Sequence, residues 1–326
     1  MTENRVAAIN RDPRFAYLWR ISGLLQVATR PQAPPGPIIV KSVWGLANRI
    51  YGLLNAVAYA ARFGRPLHVD WTDGMYAEKG TNAFPGVFSL RGIESLDGMP
   101  KLDRPFPDLC RGRLDEDCRT TWAPRKESIF DGFPDLDQWH LVPRGVYDGY
   151  VYCSRPSYGR PFALAARLPF QARSVYERHV AFSDSMQRQL AAHAVRTDHS
   201  WIGVHYRCTD LKTDCPLERI AEIVEQSGCR NLYWATDHAE SGDVMRRLLP
   251  SHHIETTMPV DGLASGGQAI HTSLAAGQHE RHLVSACADL RSLSGCGVIV
   301  RKPQSTFGRL AAEVLSPVAP RQIFIV

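Results

Sequence analysis

Three polar side chains follow an apolar stretch near the middle of the chain, at a spacing that suits an anion. The segment 201–210 reads WIGVHYRCTD, which places His205, Arg207 and Asp210 in the pattern H-x-R-x-x-D. In an open α/β sheet, ligands bind beyond the carboxyl ends of the strands. A guanidinium suits a phosphate or pyrophosphate, and the carboxylate can accept from a sugar hydroxyl or orient the arginine. The pattern indicates a site for a nucleotide-linked anion; the alternative is a charged strand end that only solvates the sheet edge.

Two further predicted strand ends carry polar residues. Asp237 follows the strand 231–236, where it can hold a base or a ribose hydroxyl, or cap the next helix. Ser305 and Thr306 begin a helix after the strand that ends at Arg301, so that hydroxyls and free N–H groups gather at one point. We expect these groups, with the guanidinium above, to enclose a diphosphate from two sides. A simple Ser/Thr helix cap is the alternative.

A turn in the first part of the chain also favours anions. The residues 44–49, WGLANR, precede a helical pattern, and Asn48 and Arg49 add side-chain donors to the free N–H groups of a helix start. The alternative is a helix cap with an exposed arginine. The turn is neither G-x-G-x-x-G nor the phosphate loop that ends in Gly-Lys-Ser/Thr. NAD binding and ATP hydrolysis therefore lack their usual support.

A carboxylate inside an apolar helix needs a partner. Asp289 stands in such a helix, in the segment ACADLR, and can pair with Arg291, with another arginine, or with the ligand. Metal and nucleophile sites have little support. The pair His252-His253 lacks ligand spacing on a helix face, and no G-x-S-x-G turn is present.

Composition places the chain among globular proteins without a nucleic-acid or membrane signature. It has 326 residues, 22% of them charged, a net charge of +5, and no block of basic residues. No apolar run is long enough for a membrane span, and the amino terminus lacks a signal pattern. None of the eight cysteines forms C-x-x-C. That absence disfavours zinc and thioredoxin-type sites. An even number of cysteines permits disulfides, but Cys208, Cys229 and Cys287 lie in or beside predicted core elements, which favours a reduced, cytoplasmic protein.

Hydrophobic periodicity predicts alternating strands and helices, the pattern of an α/β fold. A Pro-rich linker at 30–37 precedes a strand at 38–43, a helix that Gly64 ends, and a strand at 66–71. The region 72–160 shows no clear elements, and a helical pattern returns near 172–195. After residue 200 the predicted strands are 200–206, 231–236, 252–256, 297–301 and 321–326, and the predicted helices are 216–226, 239–249, 279–294 and 305–316. The prediction is an extension at 1–37 and two Rossmann-like domains at 38–175 and 176–326.

These segments together resemble the α1,6-fucosyltransferase family, in particular its rhizobial nodulation members, and more distantly the protein O-fucosyltransferases. The likeness covers roughly 38–320 and depends on an ordered set of motifs rather than on any single one. The motifs are GLANR at 45–49, RPLHVDW at 65–71, TNAFP at 81–85, IGVHYRCTD at 202–210, ATD at 235–237 and STF at 305–307.

The resemblance implies a GT-B-like fold, with two Rossmann-like domains facing a central cleft, and GDP-fucose as donor. It implies inversion at the fucose anomeric carbon, an oligosaccharide acceptor, and neither metal nor cofactor. Arg207 would bind the β-phosphate of GDP, and His205 would support that arginine or the nucleotide. The other positions that match the donor site are Asp237, Asp289, Ser305 and Thr306. Asp210 and Asp214 are candidates for a base that activates the acceptor, and the sequence does not separate them.

Two positions depart from the family pattern and leave alternatives open. Cys208 stands where the α1,6 enzymes have a second arginine, and Leu211 where they often have a lysine. The chain is therefore an enzyme with GDP-fucose, an enzyme of the same fold with another nucleotide sugar, or an inactive glycan- or nucleotide-binding homologue. The sequence names neither the acceptor nor the linkage formed.

The polar strand ends gather after residue 200, whereas the irregular, aromatic-rich region lies before it. We therefore expect the second half to build the donor site, from strand ends at Arg207, Asp237 and Arg301 and the helix start at Ser305. The first half, with region 72–160, should face the acceptor, because loops on a fixed scaffold carry specificity.

Overall fold

The computed structural model describes most of the chain between Gly36 and Ile325. Its described ranges are 36–42, 44–106, 110–116, 147–153, 172–207, 215–257 and 278–325. Asp210 and Asp214, the two candidates for a base, lie outside these ranges, as do Cys208 and Leu211. Within them, the structure is α/β, with two parallel sheets and one antiparallel pair of strands.

A four-stranded parallel sheet of order β2-β1-β5-β4 forms the first half of the fold. The elements are β1 (Ile38–Lys41), α1 (Leu46–Phe63), β2 (Leu67–Asp70), α2 (Phe84–Val87), β3 (Phe88–Leu90), β4 (Pro105–Phe106) and β5 (Gly149–Cys153). Helix α1 buries one apolar face that includes Ile50, Leu53, Leu54 and Val57. It ends at Gly64, whose φ of 60° is left-handed. The predicted strand–helix–strand unit is confirmed.

Two helices and a short strand connect the sheets. They are α3 (Ala172–His179), β6 (Val180–Phe182) and α4 (Asp184–His193). Strand β6 pairs antiparallel with β3, so that Phe182 lies opposite Phe88. Ser183 then starts α4 by accepting the Met186 N–H on its Oγ. The helical pattern predicted near 172–195 is therefore two helices with a strand between them. The predicted domain boundary after residue 175 lies inside α3, and the division into domains stays a prediction.

A five-stranded parallel sheet of order β11-β10-β7-β8-β9 forms the second half. Its elements are β7 (Trp201–Tyr206), α5 (Leu217–Ser227), β8 (Asn231–Thr236), α6 (Ala239–Leu248), β9 (His253–Glu255), α7 (His279–Gly295), β10 (Val298–Arg301), α8 (Thr306–Leu310), a π-helical turn (Ala311–Leu315) and β11 (Arg321–Phe324). The strands and helices predicted after residue 200 are confirmed, with each end within two residues of its predicted position. The predicted helix 305–316 differs, because it divides into α8 and the π-helical turn.

Helices cover both faces of the central strand β7. All of its residues are buried, as is usual where a parallel sheet carries helices on both sides. Helix α7 packs directly on the backbone of Gly203. A Cβ there would come within 2.9 Å of the Leu293 Cδ2 and the Cys296 Sγ. This close approach holds α7 against the sheet.

The last elements of the chain pack against the first. Helix α8 contacts α1, and the π-helical turn contacts α3 and α7. Leu310 and Val314 belong to the same buried cluster as Ile50 and Leu54. The two halves therefore share a hydrophobic core. The described part of the chain contains no helix that combines the length and the apolar character of a membrane span.

Candidate functional site

The carboxyl ends of β7 and β10 meet at a histidine–serine pair. His205 lies opposite Arg301 in the pairing of these strands. Its Nδ1 is 2.9 Å from the Oγ of Ser305, the N-cap residue of α8. The same Oγ accepts the N–H of Gly308 at 3.0 Å. The predicted Ser/Thr cap is therefore present, and the same hydroxyl also holds the histidine. Thr306, the first residue of α8, is half-buried beside it.

His205 is neutral because its surroundings disfavour a positive charge. The ring is 7% exposed and stacks on Phe307, with centroids 5.0 Å apart. Burial lowers the pKa of His205 to about 3, and the positive charges of Arg207 and Arg301 act in the same direction, against the opposite effect of Asp237. One ring nitrogen thus donates and the other accepts at neutral pH.

Arg207 reaches across to the end of the neighbouring strand. Its Nε lies 3.7 Å from the Oδ2 of Asp237, and the two side chains are 26% and 9% exposed. Asp237 is therefore placed to orient the arginine. The same role for Asp210, which lies outside the described residues, stays a prediction. The N-cap position of α6 falls on His238, not on Asp237. The guanidinium is oriented by a carboxylate and remains partly open to solvent.

Asp289 on α7 is held by two hydroxyl groups. The Tyr233 Oη donates to its Oδ1 at 2.5 Å, and the Thr257 Oγ1 donates to the same oxygen. Burial raises the pKa of Asp289 to about 6, and the two hydrogen bonds oppose that rise. Within the described residues, the predicted pairing with Arg291 or another arginine is therefore wrong. Both hydroxyls use Oδ1, which leaves Oδ2 as the oxygen that can accept from a ligand.

These groups form a row along the carboxyl edge of the second sheet. Ser305 follows β10, Arg207 follows β7, Asp237 follows β8, and Thr257 follows β9, in the order in which these strands are paired. Three strand spacings of about 4.8 Å give the row a length of roughly 14 Å. That length suits an extended ligand such as a nucleoside diphosphate, with a neutral histidine and an arginine at one end and a carboxylate at the other.

Arg301 does not belong to this row. It is 2% exposed, and its Nε donates to the Gln322 Oε1 at 2.8 Å. Its Nη1 donates to the carbonyls of Lys302 and Pro303, and its guanidinium lies over the ring of Phe324. The expectation that Arg301 contributes to a donor site is not supported by these contacts, because its side chain instead holds the turn that leads to Ser305.

Arg49 is buried in the first half of the fold. Its Nη2 donates to the Asp73 Oδ2 at 2.6 Å, and its Nε to the Trp44 carbonyl at 2.8 Å. The guanidinium also lies near the rings of Trp71 and Tyr76. The alternative of an exposed arginine is therefore wrong, and a direct contact between Arg49 and a substrate stays a prediction.

Asn48 lies in the first turn of α1. Its Oδ1 is buried and has no hydrogen-bond partner among the described residues.

The segment 73–76, from which Asp73 binds Arg49, also contacts the second half of the fold. The Met75 carbonyl is 3.2 Å from the His279 Nδ1, and Tyr76 stacks on His282. Both histidines belong to α7, the helix that carries Asp289.

Sequence reasoning missed the partners rather than the principal groups. Tyr233 lies within a strand and Thr257 beyond another, and no local pattern marks either as a partner of Asp289. Phe307 belongs to the STF motif, from which only Ser305 and Thr306 were predicted as site residues, although its ring stacks on His205. In the described residues, no group of three or more His, Cys, Asp or Glu side chains is arranged to hold a metal ion.

The architecture is that of the GT-B-like fucosyltransferases. The solved structure of fucosyltransferase NodZ from Bradyrhizobium matches with a TM-score of 0.62 and 19% identity, over 86% of this chain and 94% of that one. POFUT1 in complex with GDP matches with a TM-score of 0.52 and 13% identity, over 90% of this chain and 99% of that one. An Arabidopsis thaliana FUT1 mutant in complex with GDP matches with a TM-score of 0.54 and 14% identity, over 96% of this chain and 78% of that one.

At identities this low, the structural likeness shows a common fold and nothing more specific. Comparison with protein-family models gives no match, and comparison with curated protein sequences gives none either. The resemblance to α1,6-fucosyltransferases that the sequence motifs predicted is confirmed in the structural neighbours.

Proposed function

We propose that this chain is an inverting glycosyltransferase that moves fucose from GDP-fucose to a hydroxyl of a glycan or chito-oligosaccharide. The observation that carries the proposal is the row of polar groups along the carboxyl edge of the second sheet. Two structural neighbours support it, because NodZ was solved after soaking with GDP-fucose and POFUT1 in complex with GDP.

Arg207 is the group that stabilises the leaving nucleotide. As the bond to fucose breaks, the sugar gains oxocarbenium character and GDP gains negative charge. A donor that is already oriented stabilises this charge without reorganisation. Asp237, 3.7 Å from the Nε, supplies the orientation. The planar guanidinium can then donate two parallel hydrogen bonds to the β-phosphate.

His205 and the start of α8 bind the same phosphates as neutral donors. The Ser305 Oγ already accepts the Gly308 N–H. In the tautomer that we propose, its own hydrogen donates to the His205 Nδ1. The imidazole then carries its proton on Nε2, which donates to a phosphate oxygen. Thr306 and the first N–H groups of α8 add donors where negative charge is favoured. His205 does not act as a general base, because burial lowers its pKa to about 3.

Asp289 selects the base. The Oδ2 of Asp289 is left available while Oδ1 holds the hydroxyls of Tyr233 and Thr257, so it can accept the N1–H of guanine, beside which the N2 amino group is also a donor. Uracil offers a single N–H between two carbonyl oxygens, which repel a carboxylate. The site therefore favours GDP-sugars over UDP-sugars.

The first half of the fold faces the acceptor. Asn48, whose buried Oδ1 lacks a partner among the described residues, is a candidate contact there. In a single displacement, the acceptor hydroxyl attacks the anomeric carbon opposite the leaving GDP, and Asp210 or Asp214 takes its proton. Neither a metal nor a cofactor takes part in this proposal, since Arg207 neutralises the leaving phosphate. The cytoplasmic location stays a prediction.

A donor screen with the purified chain tests the proposal. GDP binding is measured by isothermal titration, and GDP-fucose, GDP-mannose and UDP-N-acetylglucosamine are each offered with a chito-oligosaccharide. We expect GDP to bind and fucose alone to be transferred, with the product α-linked because the donor is β-linked. GDP binding without transfer to any acceptor would favour the inactive homologue. Transfer of another sugar would show that the donor is a different nucleotide sugar, and failure to bind GDP would refute the proposal.

A further inference from the structure

A cavity of about 830 Å³ lies at the other end of the second sheet from the nucleotide site. Its walls come from β6, α4, the last turn of α7 and the segment 194–197. That segment precedes β7, whereas Arg207 follows it, so the cavity is at the amino end of the central strand. The volume falls within the range of small-molecule pockets.

The cavity is lined by positive charge. Arg91, Arg196 and Arg291 belong to its lining residues, which include neither aspartate nor glutamate. The Arg91 Nη2 is fixed by the carbonyls of Glu177 and Val180, at 2.9 and 3.1 Å. Arg196 and Arg291 are exposed and make no ion pair with the described residues. Three arginine residues therefore line one cavity, and neither aspartate nor glutamate is among its lining residues.

The end of α7 does not need Arg291 as a cap. The Ser292 carbonyl accepts from the Thr197 Oγ1, and the Leu293 carbonyl from the Cys296 N–H. The carbonyl of Arg291 itself accepts the Ser294 Oγ at 2.7 Å. Because these last carbonyls already have donors, the guanidinium of Arg291 is not needed to cap the helix.

The rest of the lining is apolar and neutral. Val180, Phe182, Leu190 and Leu315 contribute apolar surface. Burial raises the pKa of Tyr176 to about 12, although the charges of the nearby Arg291 and Arg91 oppose that rise. An occupant would therefore meet a hydrocarbon surface, one uncharged phenol and the three arginine side chains.

We propose that this cavity binds an organic anion in which one phosphate or carboxylate group is attached to an apolar body. The guanidinium groups of Arg91, Arg196 and Arg291 hold the anionic group by charge-assisted hydrogen bonds, which suit their planar geometry. The apolar surface takes the body of the molecule. This site is separate from the donor site and does not depend on the function proposed above.

Hexyl phosphate is a probe that combines both features. We expect isothermal titration to show saturable binding of one molecule per chain. Inorganic phosphate and 1-hexanol, each of which lacks one feature, should bind at least about tenfold more weakly. The double variant Arg196→Gln/Arg291→Gln should lose the binding. Arg188→Gln makes the same change at an exposed position of α4 outside the cavity, and should bind as the wild type does.

A second pair of variants tests whether the probe binds in this cavity, without a change of charge. Ala191 lines the cavity and Ala192 does not, although both are exposed on α4. Ala191→Trp should block hexyl phosphate, and Ala192→Trp should not. Arg207→Gln, which alters only the nucleotide site, should leave the binding intact. The proposal is overturned if the wild type shows no saturable binding, if the double arginine and Ala191 variants bind normally, or if Arg207→Gln abolishes binding. GDP titration reports separately on the donor site.

Discussion

His205 and Ser305 are 100 residues apart in sequence, and the Nδ1 of the first lies 2.9 Å from the Oγ of the second. The same Oγ accepts the N–H of Gly308 and so starts helix α8. One hydroxyl group thus begins a helix and fixes the ring of a buried histidine. A change at Ser305 must therefore act on stability and on the site together.

Ser305→Ala should lower the free energy of unfolding by about 1 kcal/mol, which is typical of a lost N-cap. It should also weaken GDP binding, because His205 loses the partner that orients its ring. Ser183→Ala is a matched control, since Ser183 caps α4 in the same way far from the site. Denaturant unfolding should show a loss of stability in both variants. Isothermal titration should show a loss of GDP affinity in Ser305→Ala alone. Equal losses of affinity would contradict the role of Ser305.

Arg207→Lys should weaken GDP binding about tenfold or more and abolish transfer. Lysine keeps the charge but loses the planar fork, and hydrogen bonds to charged groups are worth roughly 1.5–3 kcal/mol each. Arg219→Lys is the control, because Arg219 is exposed on α5 and pairs with Glu222 of its own helix. Steady-state kinetics and titration with GDP measure both variants. Near-normal turnover in Arg207→Lys would show that the leaving-group role is wrong.

Much of the fold could be predicted because its periodicity is local. Helix α1 and its end at Gly64 follow from side chains within one turn of each other. Strand β5 could not be predicted, because its place beside β1 depends on a pairing between Ile38 and Tyr150. Strand β6 interrupts a helical pattern for the same reason, since its partner β3 lies about 90 residues earlier. Long-range pairing leaves no local signal.

The site shows the same division. Arg207, Asp237 and Ser305 could be predicted because a strand end places them. The partners of Asp289 could not, because Tyr233 and Thr257 reach it from two other elements. An arginine at the end of a strand suggested a ligand contact at Arg301. Its side chain instead holds a turn within the protein.

Asp289 should make stability fall as the pH rises from about 4 to 6. Burial raises its pKa to about 6, above the value near 3.9 of an unfolded chain. In this window the folded state keeps a proton that the unfolded chain has released, so that rising pH favours unfolding. Asp289→Asn removes this group. Denaturant unfolding at pH 4 and pH 7 should show the variant gaining stability relative to the wild type. A difference that does not change with pH would contradict the shifted pKa.

Transfer should be insensitive to chelation. In the proposed mechanism the guanidinium of Arg207, held by Asp237, neutralises the leaving phosphate, so no divalent cation is required. Turnover of GDP-fucose with a chito-oligosaccharide is measured with and without excess EDTA, and the two rates should agree. A rate that EDTA suppresses and that manganese or magnesium restores would assign the charge-neutralising role to a metal instead.

GDP should protect the carboxyl edge of the second sheet from hydrogen exchange. The proposed contacts with the nucleotide come from His205 and Arg207, from Asp237, from Asp289 and from the start of α8, all within the second half of the chain. Peptides that cover 205–215, 235–240, 286–291 and 302–309 should therefore exchange more slowly with GDP bound, whereas α4 at 184–193 serves as an internal reference and should not change. The first half contacts α7 through Met75 and Tyr76, so a smaller effect on 72–82 is expected. Protection concentrated in 72–160, with none in 205–215 or 302–309, would move the donor site to the first half of the fold.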